Sequence, residues 1–131
     1  MSEPIPDNFL DLFEKRAFCS IATILPDGSP HVTPVWVDYD GEYLIINTPV
    51  GTRKDRNMLA DPRVALSIYD PDNPYRYLLV RGRVVATATE GAAEHIDKLA
   101  LRYRGQGRYQ GPNRDNRRLH LIEPLRVIAR G

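Results

Sequence analysis

The chain has 131 residues, 18 of them Lys or Arg and 17 Asp or Glu, giving a formal net charge of +1 with the histidines neutral. That length suits one domain spanning residues 1–131, and 42% hydrophobic with 27% charged residues is a globular composition rather than a disordered or fibrous one. The near-neutral balance argues against a nucleic-acid partner. No run approaches the roughly 18 apolar residues of a membrane-spanning helix. Cys19 is the single cysteine and has no internal disulfide partner. With an N-terminus that lacks a basic, apolar leader, it points to a reducing, cytoplasmic setting.

In chain order, Asp7 is placed to cap a short helix carrying Phe9, Leu10, Leu12 and Phe13, closed by Lys15 and Arg16. Residues 18–25 are β-rich and apolar on both alternate sets, as in a strand covered on two sides. Turn chemistry at Pro26-Asp27-Gly28 and again at Asp40-Gly41 separates this run from residues 31–39 and 43–48, which reads as a three-stranded antiparallel meander. Pro34 cannot donate to a ladder, so it belongs at an edge, a bulge or a binding surface. Thr52-Arg53-Lys54-Asp55 has the spacing of a capping box, and Asp61-Pro62 ends the helix that it opens.

Residues 63–69 form the next strand. A rigid turn over 70–74 follows, then a long strand over 75–88 with a bend at Gly82. A second helix runs from 89 to about 103, with Ile96, Leu99, Ala100 and Tyr103 on one stripe and Glu94 one turn from Lys98. Residues 104–118 hold five arginines, three glycines and no aliphatic residue, so they are read as a surface loop. Two short strands, 119–123 and 125–129, are separated by Pro124. Six or seven short strands with intervening helices predict a mainly β, small-barrel fold.

Familiar catalytic devices are missing from the sequence. There is no G-x-S-x-G and no H-E-x-x-H, and His31, His95 and His120 lie on separate elements, so neither a catalytic side chain nor a metal site is expected. Of the three, only His31, beside Thr33 to Trp36, reads as a candidate as readily as a structural residue. Such a chain leaves the difficult chemistry to a bound cofactor. The best ligand signal is residues 48–57, TPVGTRKDRN. There a strand ends, Gly51 permits close backbone approach, and a helix start offers free amides to an anion. Arg53, Lys54 and Arg56 add cations at the helix end where cations are unfavourable. That favours phosphate binding over the plainer reading, a solvated turn offset by Asp55 and Asp61.

Residues 22–84, and most specifically DGSPHVTPVW, the K-x-R-N of Lys54 to Asn57, and DPRVALSIYDPDNPYRYLLVRG, resemble the pyridoxamine 5′-phosphate oxidase-like split β-barrel superfamily. They are most similar to its branch of small actinobacterial proteins that use the deazaflavin coenzyme F420. The resemblance implies a homodimer with the cofactor in a groove between two barrels. Lys54, with Arg53 or Arg56, would hold its phosphate, and Asn57 follows in the same motif. Thr33, Pro34, Val35 and Trp36 would lie along the ring, although Val35 is assigned mainly to the core and core packing is at least an equal reading for Trp36. Thr48 would sit where the strand meets the phosphate turn. Tyr75, Arg76 and Tyr77 would reach the groove from the partner chain. The arginines of the 104–118 loop could screen an acidic cofactor tail, with a solvated loop the favoured reading for most of them.

The implied activity is hydride transfer from reduced F420 to an electron-poor small molecule such as an enone, quinone or tetrapyrrole-like acceptor. The alternatives are an FMN-binding protein of the pyridoxamine 5′-phosphate oxidase type and a non-catalytic F420 carrier.

Overall fold

The computed structural model describes residues 2–131. A 3-10 helix, Asp7–Phe13, leads into β1 (Phe18–Ile24), β2 (Pro30–Val35), β3 (Asp38–Tyr39) and β4 (Leu44–Pro49). Helix α1 (Arg53–Ala60), β5 (Arg63–Asp70), β6 (Asn73–Ala88), helix α2 (Ala92–Arg104) and β7 (Arg117–Arg130) complete the chain. The strands form one antiparallel sheet in the order β2-β1-β5-β6-β7-β4-β3. Its two edges, β2 and β3, are joined by only Trp36 and Val37. The sheet must therefore curl until its edges nearly meet, with no ladder across the seam. This is a split barrel.

The predicted meander is corrected by this order. β1 pairs with β2 and β3 with β4, but β2 and β4 lie in opposite halves of the sheet. Turn chemistry is local and fixes each hairpin; which hairpin neighbours which is settled by long-range pairing. The two Asp-Gly reversals hold, with Gly28 at φ 87° and Gly41 at φ 98°, a conformation that glycine adopts without penalty. Pro34 lies on an edge strand, as its missing N–H requires.

Three terminal details differ from expectation. Asp7 is the first residue of the 3-10 helix and makes no side-chain cap. Thr52 is the N-cap of α1 but caps no amide with its side chain. Its hydroxyl donates to Pro49 O (3.1 Å), while Asp55 takes the Gly51 N–H (2.9 Å). The C-terminal strand is continuous through Pro124. There β6 and β7 shift register, with Gly82 opposite Pro124, so the ring sits at an irregularity where no ladder donor is needed.

One apolar cluster fills the curl, with Leu12, Ile21, Leu44, Ile46, Ile68, Leu78 and Ile122 all buried. Inward and outward residues alternate along β1 and β5, with Cys19, Ile21 and Thr23 inward and Phe18, Ser20 and Ala22 outward. Gly82 leaves no room for a side chain between β6 and β7: a methyl there would lie 2.6 Å from Ile122 Cγ2 and 2.8 Å from Glu123 O. Gly82→Ala is therefore expected to lower stability by about 1–3 kcal/mol through overpacking. The urea midpoint should drop with the slope unchanged, and an unaltered midpoint would mean that the two strands part freely.

Candidate functional site

The seam is closed from outside by the last turn of α2. Val37 is fully buried, so its backbone groups need protein partners. Arg102 donates to Val37 O at 2.6 Å, and Tyr103 Oη accepts from Val37 N at 3.4 Å. The same Tyr103 hydroxyl donates to Ala17 O at 3.1 Å, tying the seam to the start of β1. Burial raises the Tyr103 pKa and keeps that hydroxyl protonated. Trp36, in the seam itself, stacks on Tyr103 with ring centroids 5.1 Å apart and planes within 3°. Tyr109 meets Trp36 edge-on, and the Arg104 guanidinium lies 5.2 Å from its ring centroid.

Beside this aromatic wall opens a cavity of about 620 Å³, within the range of small-molecule sites. Pro34, Val35 and Trp36 form one side, and Phe18, Ser20 and Tyr69 another. Asn47 and Pro49 come from the end of β4. Four cations, Arg16, Lys54, Arg104 and Arg117, reach it, and among the described residues no carboxylate lines it. Burial and the nearby Arg117 charge both lower the Lys54 pKa. The cavity is thus a positive, aromatic-walled space that suits a flat anion.

Four of the predicted site residues, Pro34, Val35, Trp36 and Lys54, come together here. The others lie elsewhere. Thr33 pairs with Ile21 and faces the core side. Thr48 is buried, with its hydroxyl 3.0 Å from that of Thr52. Arg53 is half-buried and Arg56 exposed on α1, outside the lining. Asn57 is buried and donates to Thr23 Oγ1 at 3.0 Å, with its own Oδ1 unpartnered. Arg76 bonds Asp11 and Asp70, holding the 3-10 helix to the β5–β6 turn. Tyr75, 83% exposed, and Tyr77 lie near that turn on β6. His31, on the edge strand, stays outside the cavity with Nδ1 buried and unpartnered.

Sequence reasoning missed Arg16, Asn47, Tyr103 and Tyr109, and it singled out neither Arg104 nor Arg117 among the arginines of the 104–118 run. The sequence favours a solvated loop for that run over a screen for a cofactor tail, yet its Tyr109 N–H bonds Asp97 Oδ1 and its Arg114 pairs with Asp97, which folds it over the cavity. Glu94 does not hold Lys98, whose ammonium goes to Asp38 at 2.9 Å. No group of three or more His, Cys, Asp or Glu side chains among the described residues is placed to hold a metal. No helix among them is long and apolar enough to cross a membrane.

Residues 5–131 match the family model described as pyridoxamine 5′-phosphate oxidase. The chain belongs to the pyridoxamine 5′-phosphate oxidase family. Among solved structures it is similar to an F420 reductase, with 35% identity over 95% of this chain and 98% of that one, and a TM-score of 0.83. It is also similar to the conserved hypothetical protein Rv2991 from Mycobacterium tuberculosis, 25% identical over 96% of this chain and 84% of that one, TM-score 0.75. HupZ of Group A Streptococcus, 18% identical over 95% and 93% of the two chains with a TM-score of 0.68, shares the fold. No curated protein matches the chain.

The turn that carries Lys54 is braced from within by Asp55. Burial alone would raise the Asp55 pKa, but the Gly51 N–H, His120 and Arg118 together hold it below the ordinary value. His120, fully buried, lies 2.7 Å from Asp55 Oδ1. Burial pushes its pKa down, outweighing Asp55. In the unfolded chain the imidazole takes up a proton below about pH 6.5, while in the fold it resists. The stability that His120 contributes is therefore complete above that pH and declines as pH falls through it; the Asp55 contribution is lost only at lower pH. His120→Gln, which keeps a donor toward Asp55, is expected to flatten the fall in urea midpoint between pH 7 and 5. Parallel curves for the two proteins would exclude His120 as its source.

Proposed function

We propose that this chain is an oxidoreductase that binds reduced coenzyme F420 and delivers a hydride to an electron-poor small molecule, an enone, quinone or tetrapyrrole-like acceptor. The observation that carries this reading is the cavity: four cations, no carboxylate and a stacked aromatic wall, in a chain 35% identical to an F420 reductase. When bound, the deazaflavin would supply the hydride. The protein's part is to hold and shield it. Lys54 meets the phosphate, Trp36 and Tyr103 offer a flat wall to the ring, and the Pro34–Val35 backbone borders its edge. Positioning then supplies the rate, and no side chain need act as a nucleophile.

The outer face of the sheet supports a homodimer. Small residues, Ser20, Ala22, Ala65 and Ser67, line a shallow depression there together with the apolar Val32, Leu79 and Ile128 and with Arg81 and Arg126. Val32 is 68% exposed. Small residues let a second sheet approach closely, and apolar residues this exposed favour a protein partner. The depression there, about 470 Å³, shares Ser20 with the cavity, so a partner seated on this face would also wall the cofactor.

The test is titration of the purified protein with F420 and with FMN, followed by F420H2-dependent reduction across a panel of activated alkenes and quinones. The expected result is tighter binding of F420, and turnover. Preference for FMN points to the flavin branch, which the same basic turn also suits; tight F420 binding without turnover points to a carrier. Lys54→Ala should weaken F420 by about 1–3 kcal/mol, the range for one charge-assisted bond. Ala65→Arg, at the centre of the proposed interface, should give monomers in analytical ultracentrifugation and looser cofactor. A monomeric wild type would exclude the dimer.

A further inference from the structure

Arg117 and Arg118 are consecutive on β7, and strand alternation sends them to opposite faces. Arg118 points to Asp55 and pairs with it at 2.6 Å. Arg117 turns the other way, into the cavity beside Lys54. It is 8% exposed, and its bonds go to neutral acceptors: Nε to Asn47 Oδ1 at 2.6 Å and Nη2 to Asn47 O at 3.3 Å. The Tyr109 ring covers its guanidinium at 5.1 Å. A buried guanidinium without a carboxylate, next to a second cation, is costly unless an anion joins them.

A buried polar chain fixes its orientation. Asp38, 3% exposed, accepts from Lys98 at 2.9 Å and Arg102 at 2.7 Å, and lies 3.0 Å from His95 Nε2. An ionised carboxylate only accepts, so His95 Nε2 donates to it. Ala92 O also only accepts, so Asn47 presents its amino group there (2.8 Å), and the same group meets His95 Nδ1 (3.1 Å), which offers its lone pair. The Asn47 carbonyl oxygen is left facing Arg117. The obligate acceptors at the two ends, Asp38 and Ala92 O, fix every direction between them.

We propose that Arg117 is a second anion-binding side chain of this pocket, acting with Lys54 on the same phosphate group, and that the Asp38–His95–Asn47 chain positions its guanidinium for that contact. This rests on the cofactor reading above. Asp38, His95 and Asn47 are positioning residues; Arg117 touches the ligand. An arginine fork offers a phosphate two parallel donors where lysine offers a point charge.

The experiment is fluorescence titration, read from Trp36, the chain's single tryptophan. FMN is compared with riboflavin, and F420 with its phosphate-free deazaflavin chromophore. Wild type is expected to favour the phosphorylated member of a pair. Arg117→Gln should weaken the phosphorylated ligand about tenfold or more, as for loss of one charge-assisted bond, and leave the phosphate-free one unchanged; Arg117→Lys should recover part of the loss. Asn47→Asp retains Arg117 but gives it a carboxylate partner. It should produce the same selective loss, at a melting temperature lowered by the amide bonds to Ala92 O and His95 that it gives up, and it decides the matter if Arg117→Gln does not fold. Wild-type phosphate preference preserved in both variants would overturn the role of Arg117 while leaving the cofactor reading intact. Absence of any phosphate preference in wild type would remove the cofactor reading itself, and this inference with it.

Discussion

The step at Trp36–Val37, where the sheet fails to close, is the constraint around which the rest of the molecule is arranged. A buried edge carries amide and carbonyl groups that no ladder satisfies. Here α2 satisfies them with side chains: Arg102 covers Val37 O, Tyr103 bridges Val37 N to Ala17 O, and Asp38 grips the other nitrogen of Arg102. Asp38 is held far below the usual carboxylate range. Burial opposes its charge, but His95, Lys98 and Arg102 together outweigh it. The helix is a staple across the split, and its last turn brings Tyr103 flat against Trp36. The aromatic wall of the cavity follows from the way the seam is satisfied.

Charge is distributed by the same logic. The whole chain is nearly neutral, yet the cavity is strongly positive, because the carboxylates are committed to joints in the fold. Asp38 fastens α2 to the seam, Asp55 braces the β4–α1 turn, Asp70 holds Lys15 and Arg76 at the β5–β6 turn, and Asp97 secures the loop through Arg114. None of the four lines the cavity. The cations left over, Lys54 and Arg117 above all, meet one another instead of a counter-charge. Net charge says little about a site whose opposite charges have been used elsewhere.

What the sequence made legible was local. Asp-Gly reversals, a proline confined to an edge, and the Gly51–Lys54 bend into a helix are all decided within a few residues, and the structure has them. The family pattern added Pro34, Val35 and Trp36 to Lys54. Arg117, Asn47 and Tyr103 were not legible. Each is brought to the cavity by pairings between distant segments: Pro49 opposite Arg117 across the β4–β7 ladder, and the docking of α2 over the seam. Asn57 and Arg76 show the converse. Both read as ligand-facing by motif, and in the monomer both are occupied by internal partners, Thr23 in one case and Asp11 with Asp70 in the other. A motif records that a residue belongs to a pattern; only the three-dimensional arrangement shows which way its side chain turns.

The filled interior explains why a ligand site here must be external. Ile21, Leu44, Ile46, Ile68, Leu78 and Ile122 occupy the space inside the curled sheet, and at this barrel size side chains suffice to fill it. A planar cofactor therefore has to sit against the outer surface, where one wall alone leaves it open to water. The chain provides one cationic, aromatic wall and, continuous with it through Ser20, an outward sheet face of small and apolar residues with Arg81 and Arg126 beside them. Phe18, in the cavity lining two residues from the shared Ser20, stacks on Tyr69, although Phe18 is 57% exposed. Fully burying one such ring is worth roughly 1.5–3 kcal/mol, and an opposing subunit would collect that gain along the same line on which it would complete the pocket. In the proposed dimer, association and cofactor enclosure would be the same burial event, so each should strengthen the other.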